Sequence, residues 1–186
     1  GRKEALHPLP VYMRSFDNEY EWKGSPFSLD GWPSRIVSTV EVSPIDPYVQ
    51  YASEASGASY ISIDRGELWN TMGGLPPVND FLFSPDYQRI AFAGTNSGVY
   101  RTMDGGRSWS QVSAKPAAHL YLDPSNSHVL YAMGSQGIFK SVDLGEQKIA
   151  TVWNDLTDPA ESGAAVFAVD VRGGNAQLYR MAHDGL

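Results

Sequence analysis

One short pattern recurs along this chain at a nearly constant step: Ser/Thr-x-Asp-x-Gly-x-x-Trp. Ser62, Asp64, Gly66 and Trp69 fill it completely, and so do Thr102, Asp104, Gly106 and Trp109. Ser141, Asp143 and Gly145 keep its front half, with Lys148 at the aromatic position. Ser15, Asp17 and Trp22 keep the hydroxyl, carboxylate and indole but put Glu19 where glycine belongs. His183-Asp184-Gly185 reads as a worn fifth copy. Successive aspartates lie 47, 40, 39 and 41 residues apart. A step of about 40–50 residues is the period of a propeller blade, one four-stranded sheet per repeat.

The motif sits where a strand turns back on itself. Val99 to Thr102 reads as one strand, Asp104-Gly105-Gly106 as the turn, and Ser108 to Val112 as the return strand. Glycine supplies the positive φ that a tight turn needs. The Asp carboxylate and the Ser/Thr hydroxyl can each accept from turn N–H groups. The Trp is large and apolar enough to fill the gap between neighbouring sheets. All of these roles are structural, so the motif itself points to a folding device and to no reaction.

The two full copies resemble the Asp-box (BNR) repeat of sialidases, xyloglucan-degrading glycoside hydrolases, sortilin-type receptors and photosystem assembly factors of the Ycf48 type. The resemblance implies an all-β propeller of four-stranded antiparallel blades, with the boxes on the blade periphery and away from any active site. It also implies an extracytoplasmic, periplasmic or secreted setting. It does not select an activity, because these families share blades and differ in function.

The strands expected from alternation and turn signals divide the chain into a half-blade at 11–23, blades at 35–71, 78–112 and 118–154, and a half-blade at 164–182. Ser43-Pro44, Ser84-Pro85 and Asp123-Pro124 mark the same turn in three successive units. The outer strand of the third blade is expected around Ile149 to Trp153. If the two half-blades join, the chain closes a ring of about four blades and leaves no sheet edge exposed. The alternative is a segment of a larger propeller, completed by further sequence or another chain. The chain starts with Gly1 rather than Met, which suits a mature or excised form.

Composition narrows the partners. The net charge is −7, from 21 acidic and 14 basic residues, and no basic cluster exceeds Arg2-Lys3, which argues against a nucleic-acid groove. No apolar run is long enough to span a bilayer as a helix. Cysteine is absent, which excludes disulfides and cysteine metal sites.

Catalytic candidates are few. A sialidase needs an arginine triad and an Arg-Ile-Pro signature; Arg35-Ile36-Val37 lacks the proline. A two-carboxylate hydrolase needs acids facing each other across a cleft. Asp80 and Asp170, on expected inner strands, are the cleft carboxylates to consider. His119 and His128 fall on adjacent strands of one unit but lack a carboxylate at ligand spacing, so no metal or other cofactor is expected. Asp104-Gly105-Gly106 lacks the alternating oxygen ligands of a calcium loop. Phe27 and Trp32, in an insertion rich in turn formers, are candidate partner contacts.

With a full structural repertoire and a sparse catalytic one, the residues favour a noncatalytic scaffold or accessory subunit that docks onto another protein or complex. A glycoside hydrolase of sialidase or xyloglucanase type, or a fragment of one, is the alternative. A carbohydrate-binding module is the third.

Overall fold

The computed structural model describes residues 37–123, 126–142 and 153–155 with their side chains, and the backbone at 13–14, 23–24, 167–172 and 175–180. Every regular element among them is a strand. β1 (Met13–Arg14) pairs with β2 (Lys23–Gly24). Three four-stranded sheets follow, each antiparallel and each wound in simple chain order. The first holds β3 (Val37–Val42), β4 (Gln50–Glu54), β5 (Ser59–Ser62) and β6 (Asn70–Met72). The second holds β7 (Val78–Phe83), β8 (Ala91–Thr95), β9 (Gly98–Thr102) and β10 (Ser110–Ser113). The third holds β11 (His119–Asp123), β12 (Asn126–Gly134), β13 (Gly137–Ser141) and β14 (Trp153–Asp155). β15 (Phe167–Arg172) and β16 (Asn175–Arg180) form a further antiparallel pair. Among the described strands the two terminal pairs remain separate two-stranded sheets, with no hydrogen bond between them.

The first strands of successive sheets lie side by side: β3 against β7, β7 against β11, β11 against β15. They are the inner strands, and the sheets fan out from them. This stacking explains why β8, between the first and third sheets, is buried at every position; β4 is buried throughout as well. A strand with a sheet on each side has no solvent face, so its sequence loses the polar alternation of a half-buried strand. Small residues make that closeness achievable. At Gly94 an added Cβ would lie 3.1 Å from the carbonyl oxygen of Ala117 in the next unit.

Two apolar clusters fill the gaps between sheets. Tyr51, Val78, Phe81, Phe83, Ala91 and Ala93 form the core between the first and second. Ile90, Phe92, Val99, Leu120, Leu130 and Ala132 form the core between the second and third. Trp109 packs against the first cluster, its ring 6.0 Å from Tyr51 and 6.1 Å from Phe81. It is half-buried rather than engulfed.

The described outer strand of the third sheet is Trp153–Asp155; residues 149–152, where it was also expected, lie outside the described residues. Trp153 pairs with Ser141. Extending the registers Asn70↔Ile61 and Ser110↔Arg101 by one residue puts Trp69 opposite Ser62 and Trp109 opposite Thr102. Trp153 therefore holds the indole position of the third repeat; Lys148, which fixed spacing put there, lies outside the described residues. Trp153 packs against the second cluster and donates its indole N–H to the carbonyl oxygen of Val112, 3.0 Å away in the preceding sheet.

Candidate functional site

Simple antiparallel winding gives each sheet two distinct ends. Turns 43–49, 63–69, 84–90 and 103–109 crowd one end, and turns 55–58, 96–97 and 135–136 the other. Both complete motif turns lie at the first end and share one hydrogen-bond scheme. Ser62 Oγ donates to Asp64 Oδ1 at 2.7 Å and accepts from Gly66 N at 2.7 Å. Asp64 Oδ1 also accepts from Glu67 N at 3.0 Å and Leu68 N at 2.9 Å. Thr102 Oγ1 donates to Asp104 Oδ1 at 2.8 Å and accepts from Gly106 N at 2.8 Å, while Ser108 N reaches Asp104 Oδ1 at 2.9 Å. Burial alone would raise the pKa of both aspartates. The turn N–H and hydroxyl donors outweigh it and hold both below the ordinary 3.8.

Arg65 and Gly105 occupy the same turn position at φ 66° and 75°. Arg65 is the non-glycine residue forced there, and its guanidinium lies over the Tyr48 ring, 4.2 Å from the centroid. Their N–H groups make the same bond, Arg65 to Tyr48 O at 3.1 Å and Gly105 to Arg89 O at 3.0 Å. Each carboxylate is thus engaged by its own turn and held ionised, as a clamp requires.

The inner strands carry a different chemistry. Asp80 projects from β7 toward the third sheet and accepts from Leu120 N at 2.9 Å through Oδ2. Burial raises its pKa, opposed by the Leu120 N–H, by the neighbouring His119 and by the Phe81 N–H. Glu41, on β3, is half-buried, and no donor among the described residues reaches its carboxylate. Burial first, and the negative charge of Asp80 second, push its pKa from 4.5 to about 7. At neutral pH Glu41 therefore holds its proton about half the time. Glu41, Asp80 and His119 come from three successive inner strands, so stacking alone brings them together. Asn79 extends the polar row, donating through Nδ2 to Asn96 Oδ1 and to Ala117 O, both at 2.9 Å.

Glu54 is the most deeply buried carboxylate among the described residues, with Ser56 Oγ donating to Oε2 at 2.6 Å and Tyr60 Oη to Oε1 at 2.9 Å. Both oxygens are occupied, so it braces its turn.

Of the residues singled out by sequence, Asp80 stands in this row. Asp170 lies on β15 beside β11, with its side chain outside the described residues. Ser141 is buried on β13. Ser15, Asp17, Trp22, Phe27, Trp32, Asp143 and Gly145 lie outside the described residues. His119 and His128 do not meet. His119 pairs with Met133, which puts it at the opposite end of the sheet from His128, whose ring packs edge-on to Tyr87. Among the described residues no group of acids and histidines is placed to hold a metal ion, and no helix is long and apolar enough to cross a membrane.

No protein-family profile matches the chain. It is 27% identical over 157 residues to a xyloglucanase of a Paenibacillus species, covering 72% of this chain and 15% of that enzyme. Among solved structures it resembles an ancestral GH74 enzyme (TM-score 0.57, 21% identity, 82% of this chain and 23% of that one). It also resembles YCF48 bound to a D1 peptide (TM-score 0.50, 18% identity, 74% of this chain and 45% of that one). The chain thus spans less than half the length of each of these three proteins. Together with the three stacked sheets, these likenesses show the fold: the chain is built as blades of an all-β propeller.

Proposed function

We propose that this chain is part of a propeller that binds and cleaves a xyloglucan-type polysaccharide, with Glu41 as general acid and Asp80 as general base. This favours a hydrolase over a docking scaffold. The observation that carries it is the pair of half-buried carboxylates on adjacent inner strands, one of them with its pKa pushed up to about 7. Glycoside hydrolysis that inverts or retains needs such a split, one carboxyl to protonate the leaving oxygen and one carboxylate to activate water or attack. The likeness to a xyloglucanase supplies the substrate class. His119 and the Asn79–Asn96 pair would orient sugar hydroxyls beside the acids.

On this reading the motif turns are Asp boxes and serve as blade clamps remote from the sugar. A polysaccharide substrate places the protein outside the cytoplasm.

The test is release of reducing ends from xyloglucan. The complete propeller is expected to be active, and Glu41→Gln and Asp80→Asn each to abolish release while retaining the wild-type Tm. Asn keeps an acceptor for the Leu120 N–H, so Asp80→Asn separates charge from packing. Full release by both variants of the complete propeller overturns the reading.

A noncatalytic docking module is the second reading. The likeness to YCF48, solved with a bound peptide, favours it. Under this reading the inner-strand acids only pair successive blades, and both variants remain without phenotype.

A further inference from the structure

Asn79 sits on a β-bulge. Val78 pairs with Thr95 and Asp80 with Gly94, so two steps along β7 match one along β8 and Asn79 is the extra residue. On a regular strand Val78 and Asp80, two positions apart, would share a face. Val78 packs into the core between the first and second sheets, while Asp80 reaches Leu120 N in the third. The bulge has turned the acid to the other side of the sheet.

The same bulge lets Asn79 reach toward the third sheet beside Asp80. Its Nδ2 donates to Asn96 Oδ1 and to Ala117 O, both at 2.9 Å. Ala117 N donates in turn to Thr95 O at 2.9 Å, so the second sheet holds this residue by two bonds. Gly94 lies against the same segment: an added Cβ there would meet Ala117 O at 3.1 Å and Leu120 Cγ at 3.3 Å. Leu120, which closes the segment, donates its N–H to Asp80 Oδ2 at 2.9 Å. Asn79 and Asp80 thus grip the stretch 117–120 at its two ends.

The first sheet carries the same bulge without the grip. Its register slips between Val37 and Thr39, and Ser38 Oγ donates to Ser53 O of its own sheet at 3.0 Å. Thr39 follows that bulge as Asp80 follows the bulge at Asn79. The tether to the next unit accompanies the acid.

We propose that Asn79 is a positioning residue for Asp80, holding the 117–120 segment where the Leu120 N–H meets the carboxylate. The proposal rests on the reading of Asp80 as general base and gives Asn79 a role beyond that of a sugar contact.

The test is an NMR titration of the Asp80 side-chain carboxyl and the Leu120 amide proton in the complete propeller. Glu41 on β3 and His119 on β11 are the titratable groups that act on Asp80 across the stack, and the variants leave both in place. In wild type the Leu120 amide shift is expected to follow the Asp80 midpoint. Asn79→Leu, similar in size and without donors, is expected to raise that midpoint by about half a unit or more and to shrink the Leu120 response, because a weakened donor no longer favours the ionised form. Gly94→Ala presses on Ala117 and leaves Asn79 and Asp80 intact; it is expected to do the same and decides the matter if Asn79→Leu unfolds. On xyloglucan both variants are expected to lower kcat at unchanged KM. A Leu120 amide blind to Asp80 in wild type, or an Asp80 midpoint unmoved by the folded variant, overturns the proposal. A propeller that leaves xyloglucan intact overturns the hydrolase reading alone, because the titration is read without substrate.

Discussion

The indole N–H of Trp153 donates to the carbonyl oxygen of Val112 at 3.0 Å, joining the outer strand of the third sheet to the outer strand of the second. Trp109 does similar work one sheet earlier through ring contacts with Tyr51 and Phe81, with its own N–H buried and unpartnered among the described residues. The same position in the repeat thus serves as the inter-sheet wedge, by packing alone in one blade and by packing plus a hydrogen bond in the next.

Trp153→Ala should therefore cost about 3 kcal/mol, the low end for a buried aromatic because the ring is half-buried. Trp153→Phe keeps most of the packing and removes the bond to the Val112 carbonyl, which should cost about 1 kcal/mol. Urea unfolding of both variants measures the two figures. Equal losses would mean that the indole N–H contributes nothing.

Asp104→Ala removes the acceptor shared by Thr102 Oγ1 and Ser108 N at Oδ1, and the partner of Ser108 Oγ at Oδ2. The expected loss is about 1–3 kcal/mol. Asp104→Asn retains Oδ1 and should lose less. Thermal unfolding of the two variants checks the order; no change in Tm for Asp104→Ala would show that the turn does not depend on its carboxylate.

Stability should respond to pH in two opposite windows. Glu41 binds its proton more tightly when folded. The stability it contributes is complete below about 4.5 and is lost as pH rises through about 7. Asp80 acts in the same direction. Asp64 and Asp104 are depressed when folded, so their contribution is present above 3.8 and is lost as pH falls below it. The Tm should peak around pH 5 on this linkage, and Glu41→Gln should flatten the fall between about 5 and 8. A Tm that rises steadily toward pH 8 would contradict the raised Glu41.

The chemistry of the motif made the hairpins legible in sequence, because Ser62, Asp64 and Gly66 act within eight residues of chain. Trp153 was hidden because it lies five positions further from its motif hydroxyl than Trp69 and Trp109 do from theirs, so fixed spacing landed on Lys148. Register along the paired strands located it instead. Glu41 was not legible at all. In Val37-Ser38-Thr39-Val40-Glu41-Val42 it is an ordinary strand acid, and its raised pKa comes first from burial between sheets and second from the charge of Asp80, 39 residues later on the neighbouring inner strand. Asp80 could be chosen from its place on an inner strand, although nothing in sequence identified its partners. His119 and His128 looked adjacent in sequence, and antiparallel register sent them to opposite ends.

The central claim is that stacking of inner strands holds a protonated carboxyl beside a second acid. The most direct measurement is an NMR titration of the Glu41 side-chain carboxyl in the folded chain, with and without Asp80→Asn. The account predicts a midpoint near 7 in the wild-type chain and a lower one once the Asp80 charge is gone. A midpoint at the ordinary 4.5, unmoved by Asp80→Asn, would contradict it.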